Sequence, residues 1–282
     1  MLVNLNEIFK VSRQTHTAVG AINTPNLETL IAAISVAEKY NIPLIIAHAQ
    51  LHDSLMKIEI IGPIMLDMAK KANVPVCVHL DHGESFEFCK KAIDLGFSSV
   101  MIDASLLDYE DNIAITKKTV NYAHARGVTV EAELGQLPNR ESGDSGSDEA
   151  KSHYTDPKLV PDFVEKTGID ALAIAFGTAH GIYKTKPILN FDIIRQVRKL
   201  SNIPLVMHGG SGLQHADYIE AIKAGINKIN YYTYMSYEGY AAAKALIEKQ
   251  PTGFYHDICD VATKAEEKKL EEILAVFSNL TK

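Results

Sequence analysis

The chain has 282 residues, of which 46% are hydrophobic, and a formal net charge of −7. That length suits two small domains or one α/β barrel with a large core. The acidic balance, without a long run of like charge, argues against nucleic acid or an anionic membrane as the main partner.

Short apolar runs alternate with amphipathic segments along the chain. A run at 17–23 (TAVGAIN) leads to a helical pattern over 26–40, with Asn26 placed as its N-cap. A run at 43–48 precedes a helix over 54–72, and a run at 74–80 precedes one over 85–95. The pattern repeats with runs at 98–104 and 127–133 and a helix over 110–125 between them. A polar insert rich in Gly, Ser and Asp then occupies 134–157. Beyond it come a helix over 158–167, a run at 170–176, a helix over 191–200, a run at 203–209, a helix over 215–224, a run at 227–230 and a helix over 236–248. The last amphipathic stripe, 264–274, is expected to pack on the chain's own body. Gly96, Gly127, Gly168 and Gly225 stand where helices should stop.

Most runs are continuously apolar, as parallel strands buried on both faces are. Eight strand–helix units predict a (β/α)8 barrel, an α/β fold in which 1–282 form one domain. The open doubly wound sheet is the rival. In a barrel the insert at 134–157 lies on the catalytic side, where it reads as a mobile active-site loop. Cys77, Cys89 and Cys259 lack framework spacing and read as reduced thiols. The start, MLVNLNEIFK, has no signal-peptide core, and no apolar stretch reaches about 18 residues. A soluble cytoplasmic protein is expected.

The ends of the runs carry the chemistry. The third ends in Asp81 and His82, the fifth in Glu131 and Glu133, the seventh in His208 and the eighth in Asn230, while GTAHG after the sixth supplies His180. Strand ends of a barrel converge on one mouth, so His82, His180 and His208 could ligate one zinc ion. A histidine at a strand end is also commonly a hydrogen-bonded core residue. His79 is read that way, and His48 and His52 stay unassigned. HGGSGL (208–213) precedes a helix and can bring backbone N–H groups to a phosphate.

HLDHG, VMIDAS, VEAELGQL, GTAHGIY, HGGSGL and KINYYT stand in an order and spacing that resemble the class II, zinc-dependent ketose-bisphosphate aldolases. The match spans nearly the whole chain and is nearest the tagatose- and fructose-bisphosphate enzymes. The resemblance implies a catalytic Zn²⁺, a monovalent cation (Na⁺ or K⁺) and a homodimer or homotetramer. It implies cleavage of a ketose phosphate to dihydroxyacetone phosphate and an aldehyde, with no nucleic acid or membrane partner. By the same resemblance His82, His180 and His208 are the zinc ligands, with Glu133 as an alternative ligand. Asp81 handles the proton on the aldehyde-derived oxygen, and Glu141 in the insert exchanges the α-proton. Gly181, Gly209, Ser211, Asn230 and Thr233 hold the phosphate and hydroxyls of the ketone side.

Three stretches depart from the family pattern. The eighth run continues as NYYTYM, with Tyr232 and Tyr234, and the insert reads PNRES at 138–142. Near Asp257, GFYHDICDVATK lacks the arginine that elsewhere reaches the aldehyde-side phosphate. The aldehyde end is therefore expected to be unphosphorylated or read by other groups, among them Tyr232, Tyr234, His48 and Arg140. A zinc hydrolase lacks its His-x-His on the first run, and a Schiff-base aldolase lacks its strand lysine in DALAIAFG. A catalytically inactive barrel serving as a binding module is the remaining rival.

Overall fold

A computed structural model describes residues 1–136, 154–183, 185–250 and 252–280. Strands that are apolar on both faces need cover on both sides, and crossover helices supply the outer layer. The described elements are β1 (Leu2–Val3), α1 (Leu5–Thr15), β2 (Val19–Asn23), α2 (Leu27–Tyr40), β3 (Leu44–Ala49), α3 (Ile58–Lys71), β4 (Val76–Gly83), α4 (Phe86–Leu95) and β5 (Ser99–Ile102). They continue as α5 (Tyr109–His124), β6 (Thr129–Leu134), α6 (Val160–Thr167), β7 (Ala171–Ile174), α7 (Phe191–Leu200), β8 (Leu205–Met207), α8 (His215–Ala224), β9 (Ile226–Tyr231), α9 (Thr233–Lys249) and α10 (Tyr255–Phe277). Strands β2 to β9 are all parallel, each beside the next, and β9 returns to β2. This is the closed (β/α)8 barrel that the repeat predicts. Short β1 adds to β4 outside the ring.

The predicted helices at 191–200 and 215–224 match α7 and α8. The one expected over 54–72 divides instead. Gln50–Ser54 form a 3₁₀ turn, and Asp53 Oδ1 accepts from Ile58 N at 2.8 Å, starting α3 afresh. α10 runs much further than its 264–274 stripe and, as expected, packs on its own barrel, burying Leu270, Ile273, Leu274 and Phe277. Gly20 of β2 makes room for it, since a Cβ there would lie 2.3 Å from Leu274 Cδ2.

Helix α1 is absent from the expectations above. Asn4 Oδ1 caps it by accepting from Glu7 N at 3.2 Å. Its buried face is Leu5, Ile8, Phe9 and Ser12, spaced as one side of a helix. Leu5, Ile8 and Phe9 plug the lower end of the barrel, packing with Val19, Ala21, Ile45, Cys77, Met101 and Val206. A second, larger apolar layer lies between the strands and the outer helices. Among the described residues, no helix is long and apolar enough to cross a membrane.

Alternation along the strands then sets the inside of the barrel. In β4, Cys77 points in, and so do His79 and Asp81; in β6 the inward positions are Glu131 and Glu133; in β9 they are Lys228 and Asn230. The interior is apolar below and polar towards the C-terminal mouth.

Candidate metal centre and active site

Consecutive strand residues ordinarily face opposite ways. At the end of β4 that rule is broken: the register with β5 slips between Leu80 and Gly83, and His82 has a φ of 44°. The irregularity turns Asp81 and His82 to the same mouth. Gly83 completes it in a tight space, where a Cβ would lie 2.8 Å from Met101 O.

His82, His180 and His208 meet there, with one ring nitrogen of each within 4.8 Å of the others. The His82 ring lies 4.5 Å from that of His208 and 4.9 Å from that of His180. Carboxylates orient two of the rings. His82 Nδ1 lies 2.7 Å from Asp103 Oδ2, and His208 Nε2 lies 2.8 Å from Glu131 Oε1. A carboxylate only accepts, so these nitrogens carry the hydrogens. His208 Nδ1 accepts from Asn230 Nδ2 at 3.3 Å, and His82 Nε2 is buried with no partner.

The surroundings pull the three imidazoles in opposite directions. Burial opposes charge on His82, yet Asp81, the Asp103 hydrogen bond and Glu133 outweigh it and push the imidazole up to about 10. Burial and then the neighbouring His82 hold His208 down, and burial with His82 and His208 takes His180 down to about 3. Glu133 is 1% exposed, its Oε2 has no partner, and burial and Asp103 raise it to about 8. Glu133, Asp103 and His82 form a second possible ligand group. Imidazole lone pairs and carboxylate oxygens are a donor set that suits Zn²⁺. These residues therefore fit the ion that the sequence implies.

Asp81, 3% exposed, accepts from Asn23 Nδ2 at 2.9 Å and Asn230 Nδ2 at 3.0 Å. Burial alone would raise its pKa, but His82, His208 and Lys228 hold the carboxyl well below the usual range. Its nearest imidazole nitrogen, His208 Nδ1, is 4.0 Å away, so Asp81 is not a histidine-orienting partner. Asn230 Oδ1 is buried without a partner and faces the same space.

Beside the imidazoles is a backbone-lined cradle. Gly209 has a φ of 64° and lies so near the 176–183 loop that a Cβ would be 2.6 Å from Ala179 O. Tyr183 Oη donates to Gly209 O at 2.8 Å, joining the two loops. Gly181, at φ 90°, follows His180 in that second loop. Ser211 Oγ accepts from Tyr232 N at 2.9 Å and keeps its own hydrogen to donate. Thr233 opens α9, whose first turn has no side-chain cap. Loops after the seventh and eighth barrel strands and an uncapped helix N-terminus are where barrels hold phosphate.

Other expectations resolve differently. Glu141 and Arg140 lie outside the described residues. The roots of the insert are fastened: Thr155 Oγ1 donates to Leu134 O and accepts from Ala175 N at 2.8 Å. His79 is structural, bonded to Ser99 Oγ at 2.8 Å. His48 is opposite Leu80 in register and shares its outward face, away from the mouth. His52 packs on Tyr232 at 5.1 Å. Asp257 caps α10, accepting from Phe254 N at 3.3 Å. The sequence reading gives Glu131 only as a run end and passes over Asn23, Asp103 and Lys228. All four lie on or just beyond barrel strands, and an inward-facing count along each strand finds them.

The family described as class II fructose-bisphosphate aldolase matches residues 3–282. The chain is 40% identical over 258 residues to the Escherichia coli K12 protein YdjI, covering 92% of this chain and 91% of YdjI. It is 41% identical over 255 residues to the fructose-bisphosphate aldolase of Geobacillus stearothermophilus, covering 89% and 87%. The crystal structure of the YdjI aldolase superposes with a TM-score of 0.85 at 36% identity, over 98% of this chain and 97% of that one. The chain belongs to the class II fructose-bisphosphate aldolase family of carbon–carbon lyases.

Proposed function

We propose that the chain catalyses reversible, zinc-dependent aldol cleavage of a ketose phosphate, releasing dihydroxyacetone phosphate and an aldehyde. The observation that carries this reading is the convergence of His82, His180 and His208 beside the buried, amide-bonded carboxyl of Asp81. A zinc ion held by the three imidazoles supplies Lewis-acid charge for the ketone oxygens as electrons collect beside the carbonyl. Asp81 takes the proton of the C4 hydroxyl as the C3–C4 bond breaks, and returns it in condensation. The Asn23 and Asn230 amides keep its carboxylate aimed while leaving lone pairs open. Gly181, Gly209, Ser211 and Thr233 hold the phosphate of the ketone side, and the free Asn230 Oδ1 takes a hydroxyl. Glu141 exchanges the α-proton. Glu133 and Asp103, with His82, are the alternative ligand set. A monovalent cation beside the phosphate and a homodimer or homotetramer complete the reading.

A second reading concerns the aldehyde end. No arginine stands between Lys249 and Lys264, and Asp257 is spent on a helix cap. An acid in place of an arginine fork repels a second phosphate. The substrate of this reading is a ketose 1-phosphate whose aldehyde end bears no phosphate. Dihydroxyacetone phosphate release from fructose and tagatose bisphosphates is compared with release from the corresponding 1-phosphates, before and after chelation. Stoichiometric zinc and chelator-sensitive cleavage support the aldolase. Efficient turnover of a bisphosphate alone removes the second reading. No zinc and no cleavage of any ketose phosphate leaves a binding module.

A further inference from the structure

Below the mouth, the barrel interior contains an ion pair to which the reaction above gives no part. Lys228 and Glu131 are both 0% exposed, with Nζ 2.7 Å from Oε2. Barrels commonly fill this level with Val, Ile and Leu. A buried ion pair is a poor stabiliser there, because desolvation offsets most of the attraction and packed apolar side chains do as well or better. The fold gives no reason for the pair.

The third partner does. Glu131 Oε1 lies 2.8 Å from His208 Nε2. His79 Nε2 is 3.7 Å from Oε2 and is a competing partner for the same carboxylate. With Lys228 on Oε2, Oε1 is left to His208, and the imidazole turns Nδ1 towards the mouth. We propose that Lys228 is a positioning residue of the metal centre, locking Glu131 so that His208 presents Nδ1 to the ion. The inference rests on the zinc reading, and its test reads metal affinity rather than cleavage.

Zinc affinity is measured by competition with a chromophoric chelator, alongside thermal melts. Lys228→Met is expected to weaken zinc binding by about 10–100-fold, as loss of an outer partner of a metal ligand does. That variant leaves Glu131 without its ammonium partner and can unfold the barrel, so the double variant Glu131→Leu/Lys228→Met removes both charges. A purely packing role restores both the melting temperature and zinc affinity in the double variant. Positioning restores the melting temperature while zinc affinity stays about 10–100-fold down. Either variant folded with wild-type affinity overturns the proposal. So does coordination of His208 through Nε2 in the ¹⁵N spectrum of the zinc-loaded wild-type protein, a readout that needs no variant to fold. Zinc lost by the variants, from a wild type that cleaves no ketose phosphate, keeps the positioning role and removes the reaction.

Discussion

The lower and upper halves of the barrel interior are lined by the same strands and hold opposite contents. Below, Leu5, Ile8 and Phe9 of α1 pack on Val19, Ile45, Cys77, Met101 and Val206 with no charge among them. Above, Lys228, Glu131, Glu133, Asp81 and His208 are as deeply buried, and Glu133 Oε2, like His82 Nε2 and Asn230 Oδ1 at the same end, has no partner. Burying apolar surface stabilises the fold, whereas burying charge costs stability unless something bound to the native state returns it. The contrast teaches that the plug holds the barrel together and the upper half is maintained for chemistry.

Substitutions in each half can break that division. His208→Ala is expected to cut ketose phosphate cleavage by about a thousandfold or more, the loss of several kcal/mol of charge stabilisation. Its metal-free melting temperature should also fall, because Glu131 Oε1 loses its buried partner; unchanged cleavage per folded molecule would make His208 a packing residue. Asp81→Asn should lower cleavage by about 10²–10⁴-fold, the usual range for a general acid–base, with zinc content unchanged. Loss of zinc in that variant would reduce Asp81 to a structural support of the centre. In the lower half, Phe9→Ala should cost about 3–5 kcal/mol in urea denaturation, with cleavage per folded molecule unaltered.

The smallest effect lies in the outer helices and asks whether strain from buried acid is peculiar to the mouth. Glu266 of α10 is 6% exposed against α9, where a Cβ on Gly239 would be 2.9 Å from its Oε1. Burial and then Glu28 raise its pKa from 4.5 to about 7. The native state keeps the proton after the unfolded state has released it. The stabilisation is complete below about 4.5 and lost as pH rises through about 7. Glu266→Gln should be up to about 3 kcal/mol more stable than wild type at alkaline pH and no different in acid. A constant difference across pH would show that the carboxyl is already ionised in the fold.

Much of this was readable in the sequence because each strand ends in a type change from apolar to polar. That change located Asp81, His82, Glu133, His208 and Asn230, and the (β/α)8 repeat brought their strand ends together. Lys228 escaped because a lysine in a strand ordinarily reads as solvent-exposed; only its pairing with Glu131 across the barrel makes it interior. Asp103 escaped because its role depends on His82, 21 residues away in the chain. The plug helix had its cap in Asn4 and its spacing in Leu5, Ile8 and Phe9, and was legible. What hid it was position, since a helix before the first barrel strand belongs to no strand–helix unit.

The fastening at Thr155 has a consequence for how such a barrel can change. One hydroxyl ties the end of β6 to the chain just beyond β7, through Leu134 O and Ala175 N. The span between 136 and 154 is therefore anchored at both roots independently of its own contents. Doubling the length of a loop between fixed ends costs only about 0.6 kcal/mol. A change in the length of this segment is therefore expected to leave the neighbouring strands, and the cluster of His82, His180 and His208 at their ends, in place.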